Sequence, residues 1–153
     1  MSAIHSAPPQ RELRGNFVVL RADTLRLLLP QADVGAASYL DQLPQATDLP
    51  GVFRRGGAAG EQAVVALSSQ MRPLPQYPKD RFLVTPVVTP QGEFGFGWSE
   101  VQVLIDARLK PQALPAALAT SNGPLKEFVE IEDQVVFCCD AARLADYALA
   151  SRD

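Results

Sequence analysis

Phe17-Val18-Val19-Leu20-Arg21-Ala22-Asp23-Thr24-Leu25-Arg26-Leu27-Leu28-Leu29-Pro30, residues 17–30, decides the fold class. Two short apolar runs, Phe17 to Leu20 and Leu25 to Leu29, flank the polar segment Arg21 to Thr24. That is the pattern of two antiparallel strands joined by a tight connection. Pro30 ends the second run, because a residue without an amide donor is tolerated at a strand end or edge and not in a central ladder. Both runs are far shorter than the roughly 20 residues that a membrane-spanning helix needs.

The same pattern continues outward. Residues 41–62 hold Pro44, Pro50, Gly51, Gly56, Gly57 and Gly60, a composition that reads as loop. Ala63 to Leu67 suits a buried strand, and residues 72–79, with Pro73, Pro75 and Pro78, form a stiff connector at which the chain is expected to change lobe. Phe82 to Thr89 and Glu93 to Trp98 read as strands separated by Pro90-Gln91-Gly92, followed by a strand through Val101, Val103 and Ile105. Gly95 and Gly97 sit mid-strand, where a missing side chain marks a bulge, a corner or a close approach.

Residues 107–126, with the turn signal Ser121-Asn122-Gly123-Pro124, predict a long connection holding at most a short helix. Phe128 to Ile131 and Val135 to Phe137 around Glu132-Asp133 predict a second hairpin. Asp140 then caps a helix whose Leu144, Tyr147 and Ala148 share one face, with Arg143 and Asp146 toward water. The expectation is an all-β domain of small barrels or a sandwich closed by one helix. Its divisions are a loose tail over 1–15, a first lobe over about 16–72, a second over about 80–139 and the helix over 141–149.

Composition narrows the function classes. The chain has 153 residues, is 47% hydrophobic and carries a net charge of −3, enough apolar material for a real core. Its 14 basic residues are scattered, so no stripe for nucleic acid is visible, and residues 1–15 lack the apolar middle of a secretory signal. The single histidine is His5, in the tail, so neither a Ser-His-Asp nor a Cys-His constellation can be built in the folded body. Cys138 and Cys139 are adjacent and read as small apolar fillers rather than a redox pair or zinc ligands. Gly95-Phe96-Gly97 lacks the third glycine and helix start of a dinucleotide turn. Glu127, Glu130, Glu132 and Asp133 read as a solvated hairpin edge. No catalytic residue, metal or cofactor is expected.

Several stretches in order over residues 15–150 resemble the CheW-like coupling-protein family of bacterial chemosensory arrays. The opening hairpin ending in Leu29-Pro30 with Val34 after it is similar to that family's first strands. Gly51-Val52-Phe53-Arg54-Arg55-Gly56 looks like its glycine to arginine-glycine loop, and Ala63 to Leu67 like the strand after it. Gly95 to Val101 and Phe128 to Ala142 look like its later strand and its closing hairpin and helix. The arginine loop is one residue short, and Ala66 stands where the family carries an Asp, so the family arginine corresponds to Arg55 or, in another alignment, to Arg54.

The resemblance implies two SH3-like five-stranded lobes in the cytoplasm. It also implies a non-catalytic adaptor linking a CheA-type histidine kinase regulatory domain to chemoreceptor cytoplasmic tips, with no nucleic acid and no membrane insertion. The residues it places at partners are Arg55, Gly56, Arg54, Val34, Val52 and Phe53. Each also has an internal reading: an arginine can brace a neighbouring loop, a glycine can serve a tight turn, and apolar residues can pack in the core. The other functional reading is a small-molecule-binding β-barrel sensor in which Gly95, Gly97 and Trp98 line a pocket; a filled interior would remove it.

Overall fold

The computed structural model describes residues 12–56, 61–89, 92–116 and 125–150. Residues 1–11 of the expected tail with His5, as well as Gly57, Gly60, Pro90-Gln91 and Ser121 to Pro124, lie outside those residues. In chain order the strands are β1 Leu13–Ala22, β2 Leu25–Pro30, β3 Ser38–Tyr39, β4 Gln45–Ala46, β5 Phe53–Arg55 and β6 Gln62–Ala66. They continue with β7 Leu83–Thr89, β8 Gly92–Trp98, β9 Glu100–Leu109, β10 Gln112–Ala113, β11 Glu127–Ile131 and β12 Gln134–Cys138. Helix α1, Ala141–Ala150, closes the described chain, and a 3-10 turn, Gln31–Asp33, follows β2.

The opening hairpin forms in the expected register, Val18 opposite Leu29 and Leu20 opposite Leu27. Asp23 takes the left-handed backbone (φ 56°) that a two-residue turn asks for and that Asp tolerates. The second hairpin does the same with Glu132 (φ 52°) and Asp133 (φ 65°). β1 begins at Leu13, earlier than the expected tail boundary, because Leu13 pairs with Leu109 of β9 and packs in a core below it.

The domain is all-β apart from α1, in two six-stranded sheets ordered β9-β1-β2-β12-β11-β10 and β3-β7-β8-β6-β5-β4. Three of these strands, β3, β4 and β10, have only two residues and lie at sheet ends, so the longer strands number five in sheet one and four in sheet two. The lobe boundaries differ from the sequential division: sheet one takes residues 13–30 and 100–138, and sheet two takes residues 38–98. The proline-rich connector does not change sheet. β6 runs parallel to β8, and parallel neighbours cannot be joined by a tight turn, so residues 67–82 and β7 together form the crossover between them. β12 is likewise parallel to β2. The stretch 41–62, read as loop, contains β4, β5 and the start of β6.

The apolar runs are continuous because both faces of the hairpin are buried. Val18, Leu20 and Ala22 of β1 with Leu25, Leu27 and Leu29 of β2 face the core between the sheets, against Val65, Phe94, Phe96 and Trp98 of sheet two. Phe17, Val19 and Leu28 point the other way, onto Val129 and Val136. β8 follows the same rule: its three aromatic side chains fill the shared core, and its glycines lie on the opposite face, where a Cβ at Gly95 would collide with Val84 and one at Gly97 with the Tyr77 hydroxyl. Close approach, not a bulge, explains both. Leu144, Ala145 and Ala148 set α1 into the shared core, and the Asp140 carboxylate accepts from the Arg143 amide as its cap (3.1 Å).

Leu27 is fully buried (0% exposed) on the shared-core face. Leu27→Ala is expected to lower unfolding free energy by about 2–5 kcal/mol, measured by urea titration. Val103→Ala, at a half-exposed site (48%), is the control and should stay within about 0.5 kcal/mol.

Candidate docking site

β5 carries the two arginines, and its alternation sends them different ways. Arg55 donates from one guanidinium nitrogen to Ser38 Oγ (2.8 Å) and from the other to the Tyr39 carbonyl (3.0 Å). Both acceptors belong to β3, at the far end of a sheet in which β5 and β3 are not neighbours. Sheet two therefore curls until its two margins meet, and Arg55 clasps them. Arg54 points outward, its side chain half exposed, and pairs with Glu61 (2.8 Å) at the edge of a polar cleft of about 250 Å³ bordered by residues 40–45. Gly56 is exposed with nothing within 4 Å of where a Cβ would stand and no left-handed backbone, so the tight-turn reading does not hold for it.

The Arg55 clasp also presents an apolar surface. Tyr39, 69% exposed, stacks on Phe82, 42% exposed, with ring centroids 6.0 Å apart and planes 12° from parallel. Exposed aromatic pairs on a rigid edge are the kind of surface that partners bury. The sequence reading passed over both residues.

A second concave surface is a groove of about 600 Å³ between the sheets. Its floor is Pro86 and Val87 of β7 with Ala141 and Ala142 of α1, and its rim carries Asp33, Glu93 and Asp140. Val34 lies just beneath, half-buried against the shared core, with its amide bonded to the Gln31 carbonyl (3.1 Å).

Of the expected partner residues, Phe53 is buried and Val52 is half-buried. Phe53 (6% exposed) meets the Tyr77 ring edge-on at 5.5 Å, because its alternate partner Arg54 takes the outward face. Val52 packs on the shared core, and its carbonyl accepts from the Thr47 hydroxyl (2.7 Å). The structure thus gathers Arg54, Arg55 and Gly56 in one place, leaves Val34 under the groove, turns Phe53 inward and holds Val52 half-buried beside it. The sensor reading fares no better. Trp98 is 1% exposed with its Nε1 donating to Thr85 Oγ1 (2.8 Å), and Val84 and Tyr77 fill the space at the glycines. The void beside Trp98 measures about 10 Å³, the size of a single water.

Arg81, which the sequence reading did not single out, is fully buried (0%). It donates to the Leu67 carbonyl (2.8 Å), and its other terminal nitrogen lies 3.1 Å from the Asp23 carboxylate, in ion-pair reach but outside hydrogen-bond geometry. No periodicity signals such a residue, since its partner is 58 positions away. The Tyr77 hydroxyl donates to the Arg81 carbonyl, and burial pushes that phenol well above its usual range, the nearby Arg81 charge opposing. Burial also pushes the Cys139 thiol up to about 12, as the apolar-filler reading requires. Among the described residues no group of three or more His, Cys, Asp or Glu is placed to hold a metal, and no helix is long and apolar enough to cross a membrane.

Two curled sheets sharing one core, with a terminal helix set between them, define a two-lobed β scaffold. The fold is that of a solved scaffolding protein, TtCheW from Thermoanaerobacter tengcongensis, with a TM-score of 0.56 over 86% of this chain and 92% of that one at 13% identity. No family model matches the chain, and no curated protein matches it in sequence.

Arg55→Ala removes two hydrogen bonds from a charged donor and is expected to cost about 1.5–3 kcal/mol of stability, whereas Arg54→Ala should stay below about 1 kcal/mol because its ion pair is exposed. Urea titration of both variants checks this. A second expectation concerns alkali. Cys139 and Tyr77 hold their protons more tightly folded than unfolded, so stability is unaffected below about pH 9 and falls as pH rises from 9 toward 12. Cys139→Ala should flatten the first part of that fall, read from thermal midpoints across the range.

Proposed function

We propose that this chain is a non-catalytic adaptor of a bacterial chemosensory complex, linking a CheA-type histidine kinase regulatory domain to chemoreceptor cytoplasmic tips from the cytoplasm. The observation that carries the reading is the two-lobed scaffold fold, shared over nine-tenths of a CheW scaffolding protein, together with an open groove between its sheets. A protein partner suits these surfaces better than a small molecule does. The groove is broad and open, with a short apolar floor and an acidic rim, and the stacked Tyr39 and Phe82 stand out from an edge.

In this reading the family arginine is divided between two residues. Arg55 acts as a positioning residue, since its hydrogen bonds hold the β3 segment that carries Tyr39. Arg54 and Gly56 face outward on the same strand end, where a partner backbone can come close to a residue that the fold does not require to be glycine. Val34 supports the groove from beneath rather than touching the partner.

The test is binding of the purified chain to a CheA-type regulatory domain and to a receptor tip peptide from the same cell, by pull-down and calorimetry. Binding is expected to at least one of them, and Tyr39→Ala or Glu93→Lys should weaken it at least tenfold with an unchanged thermal midpoint. Absence of binding to both partners by the wild-type chain ends this reading.

A further inference from the structure

The opening hairpin breaks its apolar pattern at one register position. Arg21 of β1 and Arg26 of β2 stand directly opposite each other, and Glu100 of β9 stands opposite Arg21 on its other side. By alternation both arginines share the face of Val19 and Leu28, turned away from the core between the sheets. Three adjacent strands thus carry one acid and two bases in a row. Like charges directly opposite in an antiparallel pair are destabilising, so the row holds one guanidinium in excess. Arg21 is answered: one terminal nitrogen lies 3.8 Å from the Glu100 carboxylate, and its Nε donates to the Asp23 carbonyl (3.1 Å). The Arg26 side chain, on a half-buried residue, has no ion pair or hydrogen bond among the described residues.

Both arginines border a cleft of about 300 Å³ at the mouth of the core that sheet one closes on itself. Its floor is the buried Val19 and Val136 with Ile131 beside them. β12, the strand next to β2, brings Gln134 to the wall and no acid. Glu132 stands exposed on the rim and pairs with neither arginine. Barrel mouths with an apolar floor and a few convergent polar groups are a usual form of binding site. We propose that this cleft binds a carboxylate on a short apolar stem, the carboxylate bridging Arg26 and Arg21 and the stem lying on Val19 and Val136. Guanidinium groups match a carboxylate with paired, charge-assisted hydrogen bonds. A doubly charged phosphate suits the place less, since Glu100 and Glu132 border the same cleft. The carboxylate belongs to a free organic acid or to an acidic side chain of a protein, and the chemistry of recognition is the same for both.

The cleft lies on the opposite face of the hairpin from the shared core, so the inference stands whether or not the adaptor reading does. Its test is a magnetic-resonance titration of the whole chain with two acids, butyrate and a capped tripeptide holding one central glutamate. Butyramide and the glutamine form of the tripeptide are their uncharged counterparts. At least one acid is expected to shift the backbone amides of Arg21, Arg26 and Gln134, and the uncharged counterparts are not. Binding of butyrate alone marks a free acid as the source, and binding of the tripeptide marks a protein side chain. Arg26→Gln is expected to weaken binding at least tenfold without lowering the thermal midpoint, because it relieves the contact between like charges. Glu132→Gln, which takes a repelling charge from the rim, is expected to bind at least as tightly as the wild type. The proposal is overturned if neither acid shifts these amides, or if an uncharged counterpart binds as tightly as its acid. Wild-type affinity in Arg26→Gln overturns it too, since Arg26 would then only cover the floor with its stem, and so does an equal loss in Glu132→Gln.

Discussion

Everything in this domain depends on a hairpin buried on both of its faces. A strand in a half-exposed sheet has one apolar face to place; β1 and β2 have two, and each face is the wall of a different core. One face makes sheet one a closed unit against Val129 and Val136, and the other receives the aromatic side chains of β8. The two sheets are therefore not separate domains joined by a tether. They share a wall, and the energy of hydrophobic burial that fixes one fixes the position of the other.

That shared wall explains the exposed aromatic edge as well. Because β8 spends Phe94, Phe96 and Trp98 on the common core, its opposite face must be empty of side chains, and Tyr77 and Val84 move into the space. Tyr77 in turn meets Phe53, which orients β5 so that Arg55 reaches across to β3. The exposed Tyr39 and Phe82 pair is the outer end of that chain of contacts. A surface built this way is held in place without being buried.

Local signals made the elements legible and left their grouping obscure. Both hairpins and the helix with its Asp140 cap follow from periodicity and turn chemistry that act within a few residues. The assignment of strands to sheets does not. Leu27 pairs with Phe137, 110 positions along the chain, and Ala63 with Phe94 in parallel, and neither pairing leaves a mark near either residue. A proline-rich stretch reads as a lobe boundary because stiff connectors often are, whereas here stiffness serves a crossover within one sheet. At the candidate site the arginines are visible as residue types. Their roles are not, since the acceptors of Arg55 lie 16 and 17 positions away and the partner of Arg81 is further still.

Sheet two, residues 38–98, lies wholly within the chain between β2 and β9 of sheet one. For β9 to pair with β1 the chain must first draw all of this segment together, and an open loop of that length carries a large closure entropy that a collapsed one does not. Assembly of the inner sheet before completion of the outer one is the order that avoids that cost, and non-local pairing of this kind folds slowly. The chain also carries a built-in reporter of the event. Its single tryptophan, Trp98, is buried at the seam where the sheets meet, so its fluorescence responds both to formation of the inner sheet, through Thr85 and Phe96, and to the joining of the two sheets.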